Sequence, residues 1–281
     1  NFKINVYLNA MFIWLASYPK SGNTLVRSLL AAYFFTKDGR CNFEIIKNIL
    51  QFPEVKLFIN QGVNYKNEME MIKNYIKVQE SINKKKSVQF LKTHSYLFNI
   101  ENHPFTNLDN SLGVIYIVRD PRNVLISAAN HNQTSNEKTL EHLVTGHVMG
   151  KNDGNGTLVY TGNWASNYES WKSFKSVGKY LLIKYEDLIY DKENTFLKIL
   201  NFIHKLSKNN FVLDKKKFKN VIDTTDFGNM QRMEKDTDFH ESMINKKTGK
   251  KVKFFYLGPK NDWKNLLDEN IQKKIETAFK K

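Results

Sequence analysis

In "FIWLASYPKSGNTLVRSLL", residues 12–30, a short apolar run ends at a turn built from Pro, Lys, Ser, Gly, Asn and Thr, and a second apolar pattern begins at once. The first run is β-branched and aromatic and reads as a buried strand. The second places apolar residues at 25, 26, 29, 30 and 33, one face of a helix over 22–35. A strand that turns into a helix over a Gly suits a phosphate, against the alternative of a plain turn without ligand. Gly22 permits close backbone approach, the amides of Ser21, Gly22, Asn23 and Thr24 open the helix, Lys20 adds a charge and Thr24 a hydroxyl. The order differs from the ATP or GTP loop, where Lys follows the second Gly of G-x-x-x-x-G-K-[ST]. Here Asn23 and Thr24 follow Gly22, and the Lys lies ahead of it.

Outward from this turn, three more runs read as strands: 88–93 ("VQFLKT"), 113–119 ("GVIYIVR") and 180–187 ("YLLIKYED"). Helical spacing recurs over 121–130, 163–175, 192–205 and 263–279, with Pro121 at a favoured first-turn position. Strands alternating with helices predict an α/β fold: a P-loop-like central parallel sheet flanked by helices on both faces. Residues 38–87, helical in pattern, the turn-rich 149–162 and the polar 231–262 read as insertions for acceptor site and lid, closing over the carboxyl ends of the strands.

Composition narrows the class. With 41% apolar residues the chain can bury a full core, and 43 Lys and Arg against 28 Asp and Glu give a formal charge of +15, which suits an anionic partner. The basic residues are dispersed among Asn and Ile rather than clustered with aromatics, so nucleic acid is not the expected partner. The single Cys41 forms no intrachain disulfide and fits a reducing, cytoplasmic setting. No apolar stretch approaches the roughly 20 residues of a membrane span. A signal-peptide reading of the opening would cleave near Ala16 and delete the strand before the phosphate turn. Met11 instead reads as close to a natural start, making 1–10 an N-terminal extension and 11–281 a single domain.

The turn "YPKSGNT" resembles the 5′-phosphosulfate loop of the sulfotransferases that use 3′-phosphoadenosine 5′-phosphosulfate (PAPS). "YIVRDPRNVLIS" (116–127) resembles their 3′-phosphate element, with Arg119 and Ser127 as the contacts. The resemblance continues in "FLKTHS" (90–95), which places a catalytic base on His94 and a sulfonate-contacting cation on Lys92. It also runs through "GNWASNYESW" (162–171), "KYEDL" (184–188) with Tyr185 near adenine, "TTDFGNM" (224–230) with Thr225 and Phe227 holding adenine, and "GPKNDWKN" (258–265) with Gly258.

The resemblance implies PAPS as donor, the bisphosphate PAP as product, no metal, and a small-molecule acceptor presenting a hydroxyl or amine. Lys20, Lys92 and His94 would carry the chemistry. Leu25 stands where many members have an adenine-stacking Trp, and Tyr256 and Leu257 replace the Arg-Lys pair before Gly258, leaving Lys251, Lys253 or Lys260 to compensate. Trp164 is also placed to wall the cofactor, and the aromatics of "YFF" and "QFPEVKLF" point to an apolar acceptor. The rivals are a P-loop kinase or NTPase, with Asp120 on Mg²⁺, and a catalytically inactive nucleotide binder of the same fold.

Overall fold

The computed structural model describes residues 11–83, 88–150, 157–208, 212–237, 239–245 and 247–280. The expected extension, 1–10, and the middle of the loop 149–162 lie outside them. Strand β1 (Phe12–Ser17) is buried at every position and leads through the phosphate turn into α1 (Asn23–Phe35). Next come β2 (Leu50–Gln51), β3 (Gln89–Thr93), β4 (Ser111–Val118), α2 (Pro121–Asn132), α3 (Asn136–Thr145) and α4 (Trp164–Trp171). The second half contains β5 (Tyr180–Lys184), α5 (Tyr185–Tyr190), α6 (Lys192–Ser207), α7 (Lys215–Thr224), α8 (Phe227–Asp236) and α9 (Glu269–Ala278).

The five strands form one sheet in the order β2, β3, β1, β4, β5, all parallel. Parallel strands need crossovers, and these cover both faces, so alternate residues of β1 enter two separate cores. Ile13 and Leu15 pack with Leu29 and Leu30 of α1 and with Phe196 and Ile199 of α6. Phe12, Trp14 and Ala16 face Phe52, Tyr75, Phe105 and Trp171. Within the second core the Trp14 indole donates to Ser111 Oγ at 2.9 Å, which satisfies its one buried polar atom. After β1 the chain builds β2 and β3 on one side of it and then crosses to β4 and β5 on the other, so β1 sits at a topological switch point. Ligands of open α/β sheets bind beyond the carboxyl ends there.

Several expectations shift. The strand predicted over 180–187 stops at Lys184, because Glu186 and Asp187 fall in the first turn of α5, where the helix dipole favours acids. The helix predicted over 263–279 is broken: Trp263–Leu266 ends at extended Leu267, and Asp268 restarts α9 by accepting a bond from the Ile271 amide at 3.0 Å. The helix predicted over 163–175 tightens into a 3₁₀ turn after Trp171. Residues 38–83 are short helices, but they also supply the edge strand β2, which the sequence pattern did not suggest. The loop 149–162 contributes half of a two-stranded ribbon, Val159–Gly162 against His147–Met149.

Candidate active site

The phosphate turn holds its shape through backbone that few residues adopt. Lys20 has φ of 64° and Gly22 of 103°. A Cβ on Gly22 would lie 2.5 Å from the ring of Tyr185, so both conformation and space require glycine there. Asn23 ties the first turn of α1 back to the sheet, donating to Leu15 O at 2.9 Å and Ser17 Oγ at 3.3 Å. The helix has no side-chain cap on its amino end, and its amides remain available to an anion.

The other strands deliver one group each at their carboxyl ends. Lys92 and His94 lie at the end of β3, Arg119 at the end of β4 and Tyr185 at the end of β5. His94 Nδ1 lies 2.9 Å from Ser17 O and 3.2 Å from Ser17 Oγ. A carbonyl only accepts, so Nδ1 carries the proton and Nε2 keeps its lone pair. Burial, and then the charge of Lys92, push the His94 pKa down to about 3, which keeps the ring neutral. Its backbone is held in turn: Asn167 of α4 donates to His94 O at 2.9 Å and accepts from the Tyr116 hydroxyl at 2.7 Å.

The cations are buried. Lys92 is 6% exposed and Arg119 is 5% exposed. Burial pulls the pKa of Lys20 down to about 7 and of Lys92 to about 8, with the charge of Glu241 partly opposing both shifts. The Lys20 ammonium stands 3.6 Å from the centre of the Phe254 ring. Arg119 donates to Lys20 O at 3.2 Å and lies 4.1 Å over the Tyr185 ring, while its Nε has no partner among the described residues. Glu241 is held by three of the site's groups: Arg27 at 2.6 Å, Lys92 at 3.1 Å and the Thr24 hydroxyl at 3.2 Å. Burial alone would raise its pKa, yet the charges of Lys92 and Arg27 hold it well below the ordinary carboxylate value.

All the sequence-derived site residues except Ser21 line one cavity of about 590 Å³. Ser21 lies beneath it, its hydroxyl buried without a partner among the described residues. Leu25, Tyr185, Thr225, Phe227 and Gly258 all belong to the cavity's lining. Gly258 has φ of 53°, and a Cβ there would lie 2.3 Å from the Phe227 ring, so only glycine fits. The Thr225 hydroxyl is spent on Val221 O of α7 at 2.7 Å. Ser127 lines the wall near Arg119 on α2.

Other expectations do not hold. Lys251, Lys253 and Lys260 do not line the cavity; the additional cation that does is Lys192, 3.4 Å from Thr225 O. Trp164 packs instead against Phe279, 5.1 Å between ring centres, because α9 lies across its face. Residues 38–83 give the cavity only Gln51, and the aromatics that suggested an apolar acceptor are largely core: Phe52 and Phe58 are fully buried. The wall beyond His94 comes from α2, α3 and the ribbon, including His131, His142 and His147. Among the described residues no group of three or more His, Cys, Asp or Glu is placed to hold a metal ion. Asp120 caps α2 through the Arg122 amide at 2.9 Å and pairs with the Arg122 guanidinium at 2.7 Å, outside the cavity, so it is not positioned as a Walker-B carboxylate.

Arg27 and Glu241 escaped the sequence reading. Arg27 carried a signal, since it lies three residues after Thr24 and shares its side of α1. Glu241 carried none, lying in an aperiodic polar stretch. Among the described residues no helix is long and apolar enough to cross a membrane.

The model of the sulfotransferase domain matches residues 12–281. Human sulfotransferase 1E1 is 24% identical over 95% of this chain and 83% of its own length. Rat sulfotransferase 2A2 is 31% identical over 54% of this chain and 50% of its own. In fold the chain is similar to retinol dehydratase solved with androsterone and PAP, at TM-score 0.59 and 17% identity over 99% of this chain and 82% of that one. It is likewise similar to a mouse sulfotransferase solved with PAP, at TM-score 0.56 and 16% identity over 97% and 85%. With a domain match that spans the whole described sheet and its site, the chain belongs to the sulfotransferase family.

Proposed function

We propose that this protein moves a sulfonyl group from PAPS to a hydroxyl or amine of a small-molecule acceptor. The observation that carries the reading is the convergence, in one cavity at the carboxyl ends of parallel strands, of Lys20, Thr24, Lys92, His94, Arg119 and Ser127. The residues fit a doubly phosphorylated adenosine on three counts. Buried polar atoms, Ser21 Oγ and Arg119 Nε, have no partner among the described residues. Gly22 and Gly258 let the backbone close directly on the rings of Tyr185 and Phe227, two aromatic faces that line the cavity. The turn already grips a carboxylate, that of Glu241, with its Thr24 hydroxyl.

PAPS supplies an activated sulfonyl group on a phosphate leaving group. The chain's own work is to position and to place charge. Lys20 and Thr24, with the amides of the α1 start, hold the 5′-phosphate; Lys92 holds the sulfonate; Arg119 and Ser127 hold the 3′-phosphate. An anion raises the depressed pKa values of Lys20 and Lys92, so the two lysines are fully charged when the site is filled. His94, neutral and with Nε2 unprotonated, takes the acceptor's proton. The donor's negative charge beside Lys92 raises the depressed His94 pKa as well, toward the range in which a positioned base contributes about 10²- to 10⁴-fold.

The test is a calorimetric titration with PAP, with and without Mg²⁺, on the wild-type protein and His94→Ala. Binding is expected to be independent of metal and unchanged by the substitution, while sulfonyl transfer falls about 10²- to 10⁴-fold. Failure to bind PAP, or binding only with Mg²⁺, sinks the reading.

A further inference from the structure

One ionised group in the site has no role in this transfer. Glu241 points its carboxylate into the phosphate turn, taking the Thr24 hydroxyl on Oε2 at 3.2 Å. Its Oε1 takes Arg27 at 2.6 Å and Lys92 at 3.1 Å. Thr24 and Lys92 are groups that the proposed function gives to the donor. A hydroxyl has one hydrogen to donate, and a carboxylate in contact with Lys92 fills the volume an incoming anion needs. Glu241 and the donor's phosphosulfate therefore exclude each other.

Arg27 makes the exclusion informative. Its side chain is 3% exposed. Its Nη2 bonds both Glu241 and Thr24 Oγ1, the latter at 3.1 Å, and its Nε has no partner among the described residues. A buried guanidinium stripped of its anion is strongly unfavourable, so whatever displaces Glu241 must itself bring negative charge to Arg27. The segment that carries Glu241 is anchored independently of the carboxylate. Phe239 packs on Phe43 with 4.5 Å between ring centres, and Ser242 donates to Glu234 at 3.0 Å.

We propose that Glu241 is an internal surrogate for the donor's anion, exchanged for it on binding, and that Arg27 is a donor-binding residue that passes from the carboxylate to the phosphosulfate oxygens. The proposal rests on the PAPS reading of the site. The lid segment thereby competes with the donor, and only an anion able to satisfy Arg27 and Thr24 together, as the 5′-phosphate common to PAPS and PAP would, displaces it.

Calorimetric titration with PAP separates the possibilities. Glu241→Gln is expected to bind PAP about tenfold more tightly than the wild type, and the double variant Glu241→Gln with Arg27→Met about tenfold more weakly than Glu241→Gln alone. Thermal melting controls for folding: Glu241→Gln should melt lower than the wild type without ligand, yet gain more from saturating PAP. If Glu241→Gln proves unstable, Glu241→Asp, which withdraws the carboxylate by one methylene, should show a smaller gain in the same direction. A merely structural Glu241 would lower the melting temperature and leave PAP affinity equal or reduced, which overturns the exchange while leaving the donor assignment intact. Equal binding by the single and double variants overturns the role of Arg27. Absence of PAP binding in every variant, wild type included, overturns the donor reading and the exchange with it.

Discussion

At the residue scale the site is a set of groups whose ordinary chemistry is altered by burial. His94 loses basicity but gains a fixed tautomer, because its Nδ1–H donates to Ser17 O at 2.9 Å. Lys20, pulled down to about 7 by burial, is a cation whose charge depends on what fills the site. An anion restores its proton, so PAP affinity is expected to be highest below pH 7 and to fall as pH rises above it. Lys92, pulled down to about 8, steepens that fall. Above pH 7, binding should take up protons, with affinity dropping by at most about tenfold per pH unit for each proton taken up. Titration in buffers of different ionisation enthalpy measures the uptake directly. In Lys20→Met the decline should begin about one unit higher, where Lys92 alone titrates.

The elements explain why the motifs work and where pattern reading fell short. The strands β1, β3 and β4 were legible, being short β-branched and aromatic runs buried on both faces. The residues at each strand's carboxyl end were legible too, since Gly22, Lys92-Thr93-His94 and Arg119-Asp120-Pro121 are local patterns. Boundaries were not, where one residue satisfies two readings: Tyr185 continues the strand pattern of 180–184 but begins α5. The edge strand β2 was hidden because two residues carry no periodicity. Asp120 shows the difference between composition and role. As the cap of α2, with its carboxylate on the Arg122 amide and guanidinium, it sets the direction in which Arg119 and Ser127 are presented. Asp120→Ala is expected to cost about 1 kcal/mol of stability. A magnesium carboxylate would leave a different mark: donor binding that is lost with the residue and restored by metal. Chemical denaturation of the variant, with PAP titration beside it, distinguishes the two.

For the whole molecule, the fold keeps several groups from ionising as they would in water, and this makes its stability depend on pH. Burial holds His94 at about 3 and His131, facing Lys20, at about 4. The unfolded chain protonates both near 6.5, so below that pH it binds protons that the folded chain refuses, and stability falls as pH falls. Between about pH 6 and 5 each histidine should contribute a slope approaching about 1.4 kcal/mol per pH unit, which His94 keeps toward pH 4 while that of His131 falls by about half. Urea denaturation across that range is expected to show a slope shallower by about that amount in His94→Ala. The sequence by itself determined the parallel α/β sheet and which side chains stand at each strand end, because both depend on residues adjacent along the chain: a buried run, a glycine that frees the backbone, a cation or imidazole just beyond. It also carried the family resemblance. Tertiary structure alone decided which of the scattered charges meet. Glu241 reaches Thr24 across 217 positions, and the wall beyond His94 comes from α2, α3 and the ribbon rather than from the aromatic stretch that hinted at it. Such contacts arise from the packing of remote elements around β1, and charge pairing at that distance leaves no periodic trace in the chain.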